Sequence, residues 1–101
     1  FVDVLPVLDD STAVRASSPV LSGVDLSDAL ALRLLELASS SPFGAFLYLP
    51  SRREAWFEHV VLGDDLDPDE LETAIEIVAS TADGHDDELA AGFGGRRYAD
   101  L

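Results

Sequence analysis

The sequence predicts an α+β domain in which helices cover one face of a twisted antiparallel sheet. Three observations lead there. Residues 43–49 and 54–62 alternate as strands and are joined by a turn of four residues. Residues 25–39, and the stretch from residue 68 onward, carry apolar side chains at helical spacing. The element order that results is strand, strand, helix, strand, strand, helix. A chain of 101 residues at 48% hydrophobic content is one domain and buries roughly 60–70% of its unfolded surface in a single core.

The first strand is residues 1–8, where Val2 and Val4 suit extended backbone. Pro6 cannot donate to a ladder and places this strand at an edge. Asp9, Asp10 and Ser11 form a turn. Residues 12–17 are a weaker strand, interrupted at Ser17-Ser18-Pro19, with Val20 and Leu21 able to continue it. A helix follows from Asp25 to Ser39, capped by Asp25 or Ser27. Leu26, Leu30, Leu34 and Leu37 share one face of it, and Leu32 and Leu35 point elsewhere. A helix apolar on two sides is buried on two sides. One side lies on the sheet. The other needs further intrachain core, a leading element before Phe1, a second subunit or a bound peptide.

Phe43, Ala45, Leu47 and Leu49 alternate with Phe46 and Tyr48 along the third strand. Ala55, Phe57, His59 and Val61 alternate with Trp56, Glu58, Val60 and Leu62 along the fourth. The last helix starts at Pro68, with Asp67 as cap and Asp69 and Glu70 in the first turn, where acids favour the helix dipole. Leu71, Ala74, Ile75, Val78 and Ala82 form its stripe, which extends to Leu89 and Phe93 past a weak point at Gly84. Gly92, Gly94 and Gly95 end it.

The charge excludes several functions. Twenty acidic residues stand against six basic ones, all arginine, for a net charge of −14. Such a surface repels phosphates, so nucleic acid is not the partner. No apolar run approaches the roughly 18 residues that span a bilayer, and no signal-peptide pattern is visible. There is no cysteine, hence no disulfide and no thiolate nucleophile or metal ligand. There is no methionine either, which implies a natural start before Phe1.

Four features of the sequence bear on chemistry. Asp64, Asp65, Asp67 and Asp69 suggest calcium by alternation, but the glycine and the bidentate glutamate of the helix-loop-helix site are missing. A helix start explains these acids better. His85, Asp86, Asp87 and Glu88, with distant His59, lack a metal-ligand spacing. A solvated helix face is expected for His85, Asp86 and Asp87, and a core position for His59. The serines have no strand-turn-helix elbow and no placed base. The glycine-rich GFGGRR follows a helix instead of opening one, so it cradles no phosphate. Arg96 and Arg97 are expected to pair with Asp86, Asp87 or Glu88, or with a peptide carboxylate. The expectation is therefore no catalytic residue, no metal and no cofactor.

The aromatic residues carry more weight. Helices on one sheet face leave the other open, and Phe46, Tyr48, Trp56 and Glu58 are expected there as a partner-binding surface. Leu32 and Leu35 are expected to pack a dimer or a partner.

The segment from Pro42 to Tyr98, PFGAFLYLP…EAWFEHVVLGDDLDPDELETAIEIVASTADGHDDEL…FGGRRY, resembles the YbjN-like and type III secretion chaperone-like domains, especially their actinobacterial versions. It covers a little over half of the chain and contains nothing catalytic. The resemblance implies a two-layer fold in the order helix, three strands, helix, two or three strands, helix. This sequence would then be one such domain over residues 1–101 without its first helix. It also implies a small cytoplasmic homodimer that holds an extended segment of a client protein on apolar patches, without ATP and without enzymatic activity. An adaptor or regulator with one fixed globular partner is the second reading. An acidic metal-binding protein or small hydrolase is the third.

Overall fold

The computed structural model describes residues 1–8 and 10–97. In chain order the elements are β1 (Val2–Val7), β2 (Ser11–Ser22), α1 (Asp28–Ser40), β3 (Ala45–Leu49), β4 (Glu54–Leu62), α2 (Pro68–Phe93) and β5 (Arg96–Arg97). All strand pairs are antiparallel. The sheet order is β1-β2-β4-β3, and the short β5 also pairs with β2. Helix α1 packs on β3, and α2 lies across β2 and β4. The fold is thus α+β, with both helices on one side of an open sheet. Asp9 of the first turn and Tyr98 of the terminal motif lie outside the described residues.

β1 is an edge strand, and Pro6 sits within it opposite Thr12, where its missing N–H leaves no gap in an interior ladder. β2 does not break at Ser17-Ser18-Pro19. It is a twelve-residue central strand whose register shifts between Pro19 and Leu21. Val20 is the extra residue of this bulge, and it turns both Val20 and Leu21 toward the core, at 1% and 0% exposure. The proline that suggested an interruption marks the bulge instead.

α1 begins later than expected. Ser27 caps it, accepting from the Leu30 amide at 3.1 Å. Asp25 instead accepts from Arg53 Nε at 2.7 Å, and Leu26 precedes the helix and is exposed. Leu30, Leu34 and Leu37 are buried as the spacing predicts. α2 starts at Pro68, with Asp67 Oδ1 accepting from the Glu70 amide at 2.9 Å. It runs unbroken through Gly84 and closes at Gly94, whose φ of 78° ends the helix.

Ala74, Val78, Ala82 and Leu89 bury the stripe of α2, while Ile75 lies at its margin and is exposed. Asp86 corrects the expectation of a solvated position: it is 6% exposed, on the covered side of the helix. The core is closed by Phe46 and Phe57, direct partners across β3 and β4 whose rings meet edge-on at 4.8 Å.

Candidate functional site

Residues directly opposite each other in an antiparallel ladder share a face. Phe46 pairs with Phe57 and Tyr48 with Ala55, whereas Leu47 pairs with Trp56 and Ala45 with Glu58. Phe46 and Tyr48 therefore belong to the helix side. Phe46 is 7% exposed. Tyr48 packs against the core and its hydroxyl donates to the Val24 carbonyl at 2.7 Å. The expectation that these two share the open face with Trp56 and Glu58 is corrected, because the ladder puts them one pleat out of phase.

Trp56 and Glu58 do lie on the open face. They line a shallow cavity of about 520 Å³ together with Leu47, Leu49, Phe1 and Arg15. Leu47, Leu49 and Trp56 form its floor, from β3 and β4. Phe1, at the start of β1, closes one wall, its ring 5.5 Å from that of Trp56. The apolar track continues along β4 to Val60 and Leu62, which are 45% and 69% exposed. Sequence reasoning missed Leu47, Leu49 and Phe1.

Charges frame this floor in pairs. Arg15 grips Asp3 with two hydrogen bonds, Nε to Oδ1 at 3.0 Å and NH2 to Oδ2 at 2.7 Å. Glu58 stands 3.9 Å from the same guanidinium. Glu54 accepts from the indole Nε1 of Trp56 at 3.1 Å, and Arg52 approaches it to 4.0 Å. The arrangement offers an aromatic platform with cationic donors and anionic acceptors within reach. It suits an extended, partly apolar segment better than a small polar substrate.

Leu32 and Leu35 are 59% and 68% exposed on the outer side of α1, away from the open face. The His59 ring meets that of Phe43 edge-on, and the His85 ring meets that of Phe46 in the same way. Asp64 accepts from Thr12 Oγ1 at 3.5 Å, and Asp67 is spent as a helix cap. Among the described residues no cluster of histidine and carboxylate side chains is placed to hold a metal ion. Arg97 pairs with Asp87, tying β5 to α2. Arg33 bridges the two helices through Glu88, and those hydrogen bonds hold the Glu88 carboxyl below the usual carboxylate range.

The whole chain, residues 1–101, matches the family described as T3SS (YopN, CesT) and YbjN peptide-binding chaperone 1, or TY-Chap1. The protein belongs to this family. No curated protein matches the chain. The family description names peptide-binding chaperones. No helix among the described residues is long and apolar enough to cross a membrane.

Proposed function

We propose that this TY-Chap1 domain is a non-enzymatic, cytoplasmic chaperone that holds an extended segment of a client protein across the open face of its sheet. The observation that carries the reading is the cavity floored by Trp56, Leu47 and Leu49 and rimmed by the Arg15–Asp3–Glu58 group. An extended chain laid there buries alternate side chains against the floor and meets paired charges at the rim. The exposed edges of β1 and β3 give such a segment backbone partners on either side of the floor. Leu32 and Leu35 are assigned to packing against a second copy, since they sit away from both the sheet and the cavity.

Trp56 is the chain's single tryptophan, so its emission reports directly on the floor. Titration with short peptides rich in leucine and valine is expected to shift that emission saturably, and Trp56→Ala is expected to weaken binding of the same peptides. A protein that ignores every extended peptide but binds one folded partner is an adaptor, and the proposal then fails.

A further inference from the structure

A second cavity, of about 720 Å³, lies on the other side of the sheet between β2 and α2. It opens where the β2 edge loses its neighbour. β1 accompanies β2 as far as the Phe1–Ser17 pair, joined by hydrogen bonds of 2.7 and 2.8 Å. β5 takes over at Leu21. Among the described residues nothing pairs with this edge at Ser18, Pro19 and Val20. On the helix side the wall is Ala79 and Ala82, too small to fill the space, flanked by Glu76, Asp83 and Asp86. These acids recur at helical spacing and share one face of α2.

Asp86 is the decisive group. It is more than nine-tenths buried, it lines this cavity, and no hydrogen bond or ion pair engages its carboxylate among the described residues. No buried side-chain oxygen among the described residues lacks a partner, so the Asp86 oxygens reach solvent, and a cationic occupant of the cavity would meet them without displacing a protein partner. The neighbouring hydroxyls narrow the choice. Ser18 donates its proton to the Pro19 carbonyl at 3.2 Å, and Ser80 donates to the Glu76 carbonyl at 2.6 Å. With their protons spent, both oxygens present acceptors only. Carboxylates and acceptor hydroxyls over a floor of Pro19, Val20 and alanine methyls match an apolar stem that ends in a cationic donor.

We infer that this groove takes an arginine or lysine side chain of the bound client, with the charged head on Asp86. The inference rests on the peptide-binding reading and adds a basic anchor to it, on the helix side of the sheet.

Two short leucine-rich peptides serve as probes, one containing arginine and its isostere containing neutral citrulline. The arginine peptide is expected to bind roughly tenfold tighter, as one charge-assisted hydrogen-bonded pair permits. Asp86→Asn is expected to erase that preference while leaving the citrulline peptide unaffected. Ala79→Leu, at an exposed helix position, closes the groove without touching the carboxylate, and is expected to erase it too. It decides the matter should Asp86→Asn fold poorly. N-butylguanidinium, followed by amide resonances of Val20, Ala82 and Asp86, is expected to shift them where N-butylurea does not. Equal binding of both peptides, with no guanidinium-specific shifts, overturns the inference and leaves the chaperone reading standing. Binding of neither peptide overturns both.

Discussion

Leu47 stands directly across the β3–β4 ladder from Trp56, and Tyr48, its neighbour in sequence, points through the sheet to the other layer. That one-residue phase decides which aromatic groups the open face presents. Trp56→Ala is expected to weaken peptide binding roughly 10- to 30-fold, the range of a buried aromatic anchor, with the unfolding midpoint little changed. Leu47→Ala should act in the same direction with a smaller effect. Fluorescence polarisation of a labelled leucine-rich peptide reads both. Full-strength binding by the Trp56 variant would remove the open face from consideration.

Tyr48→Phe is expected to do the opposite, leaving peptide binding intact and lowering stability. The Val24 carbonyl belongs to a residue only 1% exposed and accepts the Tyr48 hydroxyl at 2.7 Å. Removing that donor costs about 1 kcal/mol. Urea unfolding of the two proteins measures the difference, and an unchanged midpoint would mean the carbonyl finds another donor.

This phase relation was legible in the sequence, though not in the aromatic pattern itself. Alternation defines two sets of residues on each strand, and it does not say which sets meet. The loop does. Four residues, Pro50 to Arg53, separate the strands and pair Leu49 with Glu54, so Leu47 must fall opposite Trp56 and Tyr48 opposite Ala55. Periodicity also contains the position of Asp86. The stripe at Val78 and Ala82 reaches 86 before it reaches Leu89, and the acidic character of His85-Asp86-Asp87-Glu88 masked that. By contrast, nothing local shows that Pro19 sits in a continuous central strand. Proline is ordinarily a breaker, and it is tolerated here because β4 pairs on one side and a bulge absorbs the mismatch. The capping residues and Pro68 were readable because their chemistry is local to the helix ends.

Gly44 leads the chain into β3 with φ at 97°, and a Cβ built there would lie 2.4 Å from the Glu58 carbonyl oxygen and 2.7 Å from the Phe57 ring. Both the backbone conformation and the space exclude a side chain. Gly44→Ala is expected to destabilise the protein by roughly 2–5 kcal/mol, combining backbone strain with overpacking against a fixed strand. Thermal unfolding checks it. A loss of a few tenths would show that β3 can shift away from β4 at little expense.

Glu88 gives the fold a pH-dependent tie between α1 and α2. Hydrogen bonds from Arg33 hold its carboxyl below the usual range, with His85 adding a weaker contribution. A depressed carboxyl contributes stability above its unfolded value and loses it as pH falls through the folded one. The contribution is small, since the pair is exposed and screened by salt. The difference in melting temperature between the wild type and Glu88→Gln is therefore expected to be positive at neutral pH and to shrink as pH falls through and below the ordinary carboxylate range. A difference that stays constant across that window would assign the effect of the substitution to packing.

Leu32 and Leu35 are the test of self-association. α1 gives the core Leu30, Leu34 and Leu37, and leaves its remaining leucines largely exposed. An apolar pair of this kind one turn apart on an exposed helix face is worth retaining when it is covered by another surface. Replacing both with glutamate removes that attraction and adds like charges to a chain already at −14. The expected result is an unchanged unfolding midpoint at low protein concentration and a light-scattering mass that falls from two chains to one. A wild-type protein that is already monomeric at high concentration would assign the two leucines to a different partner, and peptide binding by the open face would then be a property of the single chain.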